Sequence, residues 1–171
     1  MLKKAITLMF TLAVLAVPVM AQGTKVGIVD ADVVVQKSQK GKAFFEEFQK
    51  FTEQKRASID QMIEAFQAKQ KDLQAKAASM SEDKKKESAL ELQKMQTEIK
   101  RAQEDAKRES DLKLNTGLEK FRKELAPLVH QVAIEKGLDM VLNYGPNSNL
   151  VYFNDSVNIT DAVIKAYDEM Q

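Results

Sequence analysis

Apolar positions recur every three or four residues along most of this chain. One series runs Phe44, Phe48, Phe51, Ile59, Met62, Ile63, Phe66, Leu73 and Ala77, with gaps at Lys55 and Gln70. These positions share one face of a helix. A second series runs Leu92, Met95, Ile99, Ala102, Ala106, Ser110, Leu114, Leu118, Phe121, Leu125, Leu128 and Val132. Its ends alternate three- and four-residue steps, the spacing of a coiled coil. Its middle, from Ala102 to Leu118, steps by four throughout, a stutter that unwinds a supercoil locally. Between the series, 77–83 reads as a turn, with Ser79 and Glu82 as a capping box or Ser81 as the N-cap. The pattern predicts two antiparallel rods of about 55 and 80 Å at 1.5 Å rise per residue.

The flanks change period. Lys25 to Val29 is a β-branched apolar run and reads as a buried strand. Asp30 to Gln39 reads as a short helix capped by Asp30 or Asp32. Gly41 punctuates before the first rod. Pro127 is expected to kink the second rod, and Gly137 to cap its end. Asp139–Tyr144 and Leu150–Asn154 read as a β-hairpin, followed by a last helix capped by Thr160.

From Lys42 to Thr116 the chain has no Gly and no Pro. Such a stretch predicts an arm projecting from a small body. The predicted organisation is a signal at 1–21, a β-rich body from 22–41 and 137–171, and an arm from 42–136. Lys3 and Lys4, the apolar run Ala5–Val17, Pro18 and Val19-Met20-Ala21 have the order of a secretory signal with its cleavage site. A run of 13 residues falls short of the roughly 20 of a membrane span. The expectation is a soluble periplasmic protein beginning at Gln22. The chain has no Cys, so disulfides are excluded and stability must come from packing or oligomerisation.

Without Lys3 and Lys4 the charges nearly cancel, with 24 basic against 25 acidic residues. A dedicated nucleic-acid binder is normally clearly basic, so nucleic acid is not an expected partner. The arm is mildly basic and the tail is acidic. The body holds about 55 residues, a size at which a lone domain is marginal. Three short strands with free edges invite pairing with other copies. Oligomerisation follows from size alone.

Three segments carry a resemblance. Lys25-Val-Gly-Ile-Val29, Lys136-Gly-Leu-Asp-Met-Val-Leu142 and Asn158-Ile-Thr160 resemble, in order, motifs of the Skp/OmpH family of periplasmic chaperones, with Asn158 in place of an Asp. The likeness spans essentially the whole chain. It implies an α+β fold whose small β-barrel body is completed by trimerisation. The coiled-coil-like helical hairpin is then inserted between the first strand and the C-terminal hairpin. It also implies a homotrimer that holds unfolded outer-membrane β-barrel proteins between its arms without ATP. Val26, Ile28, Val29, Met140, Val141, Leu142, Val151 and Phe153 are expected in the shared body. A basic lipopolysaccharide site is implied too, without its positions.

The residues suit such holding. Reversible capture needs dispersed apolar groups on a charged frame. Met62, Phe66, Leu73, Met80, Met95 and Ile99 offer either client contacts or a zipper between the rods, and Met adapts to varied partners. Phe44, Phe48, Phe51, Phe121 and Leu125 are expected in the core near the body. Lys84, Lys85 and Lys86 at the arm tip are either a solvated helix start or a contact for anionic lipid, lipopolysaccharide or client. His130 is the only His and no Cys accompanies it, so no metal site and no cofactor are expected. No phosphate loop or activated carboxylate pair is recognisable, and no enzyme activity is expected. A structural envelope spacer and an anion binder are the alternative functions. Asn154-Asp-Ser156 and Asn158-Ile-Thr160 fit a glycosylation pattern but read as turn and cap.

Overall fold

The computed structural model describes residues 23–146 and 148–170. The expected signal at 1–21 lies outside them. Strand β1 (Val26–Val29) leads into α1 (Ala31–Lys37), then α2 (Gln39–Lys76) and α3 (Glu82–Glu135). Strand β2 (Met140–Asn143) and helix α4 (Thr160–Glu169) complete the chain. Short 3-10 turns occupy Ala77–Ser79 and Asp155–Val157.

The two strands are parallel, with Val26 opposite Met140 and Val29 opposite Asn143. Parallel neighbours need a crossover connection. Here α1, the whole α2–α3 arm and its turn form that crossover. Leu150–Asn154 forms no strand, which corrects the expected hairpin. Both edges of β1 are taken. One carries β2, and the other makes a parallel bridge from Ile28 to Asn158.

Caps fix the corners. Asp30 accepts the Val33 N–H at 2.9 Å and starts α1. Ser38 accepts the Gly41 N–H at 3.1 Å and starts α2. The first rod therefore begins at Gln39, and Gly41 lies within its first turn instead of before it. Ser81, not Ser79, caps α3. The Ser79 hydroxyl instead donates to the Lys76 carbonyl at 3.0 Å. α3 continues through Pro127 and ends where Gly137 adopts φ +61°. The Leu138 N–H then reaches the Ala133 carbonyl at 2.9 Å, closing the helix end as a Schellman motif does. Thr160 is not the cap of α4. It is buried, and its hydroxyl accepts the Asp30 N–H at 3.0 Å, while Asn158 accepts the Thr160 N–H. Asn154 likewise accepts the Ser156 N–H, so both Asn serve turns and caps.

The core joins the body to the root of α3. Val29, Val34, Val35, Phe121, Leu125, Leu128, Val132, Ile159, Val163 and Tyr167 form one buried cluster. Phe121 and Leu125 are buried as expected, whereas Phe44 packs against the cluster half-buried. Phe48 and Phe51 remain half-buried further out.

Gly117 receives the ring of Phe44. A Cβ at Gly117 would lie 2.2 Å from that ring. The ring is also held by Phe121, with centroids 5.4 Å apart, and by Phe48 at 6.3 Å. Gly117→Ala is expected to destabilise by about 1–3 kcal/mol through overpacking. In a Phe44→Ala background the same change should stabilise by about 1 kcal/mol, the ordinary helix preference of Ala over Gly. Urea unfolding of the four proteins measures both signs.

Candidate functional site

The arm is a two-helix seam. Ile59, Met62, Ile63, Phe66 and Leu73 of α2 face Leu92, Met95, Ile99, Ala102 and Ala106 of α3, and all are half-buried. Two helices alone can cover only one side of each side chain. The seam therefore keeps apolar flanks open to solvent along its length, and no arm residue between Lys42 and Lys120 is buried.

The gaps in the apolar stripe are filled by ions. At the gap marked by Lys55, that lysine reaches Glu109 across the seam at 2.6 Å. Beside Gln70, Lys69 reaches Glu91 at 2.6 Å. Nearer the body, Lys113 reaches Glu47 at 2.8 Å. The ammonium of Lys113 holds the Glu47 carboxyl below its ordinary range, first by hydrogen bonding and then by charge. Lys55 and Lys113 each lie 5.4 Å from the centroid of Phe51, so cations flank this ring. These cross-seam partners escape a search for apolar spacing. The interruptions at Lys55 and Gln70 were the signal available.

The predicted client residues fall into place unevenly. Met62, Phe66, Leu73, Met95 and Ile99 line the seam, and Met80 sits half-buried in the extended residue before the Ser81 cap. They are thus both zipper and partly open surface. At the tip, Lys84 and Lys86 are exposed, while Lys85 pairs with Glu82 at 2.8 Å. The lysine triplet is therefore not a uniform patch. Outside the seam, Leu90, Leu112 and, at the root end of α3, Ile134 are the exposed large hydrophobics of the arm among the described residues.

The expected body residues also divide. Ile28 and Val29 are buried, and Val26 and Val141 are half-buried. Met140 and Leu142 are 48% and 41% exposed on β2, whose outer edge has no strand beside it among the described residues. Val151 is 98% exposed after the loop, and Phe153 packs on Tyr144 with centroids 5.1 Å apart. A groove of about 660 Å³ runs between this region and α3, floored by Val35, Phe121, Leu125 and Val141.

His130 is exposed. Among the described residues no group of His, Asp and Glu could hold a metal ion. No described helix is long and apolar enough to cross a membrane.

The architecture is thus a long helical hairpin arm, apolar along its seam and charged elsewhere, rooted in a small α/β body with an open sheet edge. The family described as outer membrane protein (OmpH-like) matches residues 25–167, and the chain belongs to that family. A crystal structure of an OmpH-like protein from Caulobacter crescentus CB15 shares the fold, with a TM-score of 0.79 at 23% identity and 86% of each chain covered. No curated relative matches the chain.

Proposed function

We propose that this protein is a periplasmic holdase. It would bind unfolded outer-membrane β-barrel proteins between the arms of a homotrimer, without ATP and without catalysis. The observation that carries the reading is the seam. Its apolar side chains are half open along the arm and interrupted by cross-helix ion pairs. Such a surface can capture apolar segments without collapsing onto itself. The Caulobacter crescentus protein of like fold is described as an outer membrane chaperone (OmpH-like), which supports the same reading.

Trimerisation is part of the proposal. The free edge of β2 and the exposed Met140, Leu142 and Val151 offer backbone and apolar surface to another copy. Joining sheets removes edges that a lone small body would leave open. Lys84 and Lys86 are available to anionic lipid, lipopolysaccharide or an acidic client segment.

The test dilutes a urea-unfolded β-barrel protein into the mature protein and follows aggregation by light scattering. Suppression near one trimer per client is expected. Aggregation unchanged with trimer in excess would sink the reading. Replacing Met62, Met80 and Met95 together by Gln should weaken client binding by about tenfold, since each loses part of its apolar contact. The assembly mass should stay the same. An envelope spacer would show no such loss.

A further inference from the structure

We infer that Tyr167 and Asp168 of α4 form a latch that sets the angle of the arm against the body, acting as positioning residues on the two arm helices. Two adjacent side chains reach two different rods. The Tyr167 hydroxyl donates to Glu124 of α3. The Asp168 carboxylate accepts the N–H of Gln39, the first residue of α2, at 2.8 Å. The ammonium of Lys40, next along α2, lies 5.0 Å from the centroid of the Tyr167 ring. The last helix thus grips both rods where they leave the body.

Beside these contacts the packing is incomplete. A crevice of about 420 Å³ lies among Lys40, Phe44, Gly117, Lys120, Glu124 and Tyr167. The seated ring of Phe44 on Gly117 forms its floor. Gly is the weakest residue in a helix interior after Pro, and it stands at the lower end of the stutter. The root therefore combines a pliable point in α3, free space beside it, and polar ties across it. Below Gly117, α3 is fixed by Phe121, Leu125, Leu128 and Val132. Bending is confined to the root, and the Tyr167–Glu124 bond opposes it from one side. Glu124 has a second partner in reach, Lys120 at 3.9 Å. A released Glu124 would keep a charge partner, so the tie can open without stranding a buried charge.

The absence of Cys allows a direct measurement. Spin labels at Ala78→Cys on the arm turn and Ser156→Cys on the body report the arm-to-body distance. Labelled chain is diluted into excess unlabelled chain, so each assembly carries about one labelled copy. Tyr167→Phe keeps the ring and its packing but removes the bond. A hydrogen bond to a charged group opposes opening by roughly tenfold or more. The variant should therefore show a new or broadened distance population at unchanged assembly mass. Glu124→Ala should do the same from the other side, and Glu124→Gln, which still accepts a hydrogen bond, should restore much of the wild-type distribution. Distances identical to wild type in folded Tyr167→Phe and Glu124→Ala would overturn the latch. Failure of both variants to fold would overturn it too, because the pair would then be core structure. The readout needs no client, so it stands apart from the holdase test.

Discussion

Gly41→Ala should unfold the body more effectively than any other single-methyl addition in this chain. A Cβ at Gly41 would lie 1.5 Å from the carbonyl oxygen of Val35 and 2.7 Å from its carbon. Both are backbone atoms, so no rotamer change relieves the contact. The same Cβ would stand 2.9 Å from the Ser38 hydroxyl that caps α2. Gly41 has ordinary helical backbone angles, so the requirement is for space, not for a left-handed conformation. It lets the first turn of α2 cross the last turn of α1 at backbone contact. Separating the helices would also disturb Val34 and Val35, both buried in the core. We expect a loss of about 4 kcal/mol, the upper range for a single substitution. Ser38→Ala, which removes only the cap, should lose about 1 kcal/mol. Urea midpoints at one fixed protein concentration separate the two, since the proposed assembly would make stability concentration-dependent. Equal midpoints for Gly41→Ala and wild type would mean that the helices do not meet at Val35.

Tyr167→Ala should have the next largest effect. Tyr167 is 0% exposed and packs edge-on against Phe121, with centroids 6.4 Å apart. Truncating a buried aromatic costs about 3–5 kcal/mol through lost contacts and a cavity. Here Glu124 also loses its hydroxyl donor. By contrast, Phe66→Ala in the half-open seam should cost clearly less, and should leave the melting of the body unchanged. Calorimetry on the two variants tests this division between a dense root and a loose arm.

The same tyrosine predicts a pH dependence. Burial first, then the hydrogen bond and charge of Glu124, push the Tyr167 phenol well above its ordinary value. In the unfolded chain it ionises near pH 10. Its contribution is therefore complete below about pH 10 and is lost as pH rises from there. Tyr167→Phe should flatten that alkaline decline in urea midpoints.

The pattern of apolar and polar positions determined the long rods, because helical periodicity is a local property repeated over many turns. Lys42 to Thr116 contains no Gly and no Pro, and Ser81 and Gly137 mark ends by chemistry that acts within a few residues. The stutter from Ala102 to Leu118 was legible for the same reason, and so was the apolar seam. The gaps at Lys55 and Gln70 were visible as interruptions. Only the folded hairpin showed that ions fill them, since Glu109 and Glu91 come from the returning helix. Strand pairing was decided entirely by tertiary contact. Met140–Asn143 has the composition of a hairpin strand, yet it joins β1 in parallel because the arm carries the chain back to the same end of the body. Leu150–Asn154 has strand-like residues yet pairs with neither strand, for Asn158 holds the far side of β1 and the outer edge of β2 stays open among the described residues. Thr160 looks like a cap in sequence, but its burial beside Asp30 turned its hydroxyl to a distant backbone. Gly41, Gly117 and Tyr167 bear on close approaches between elements far apart in sequence or meeting at a sharp corner. A sequence can name such residues, and only three-dimensional packing assigns them their partners.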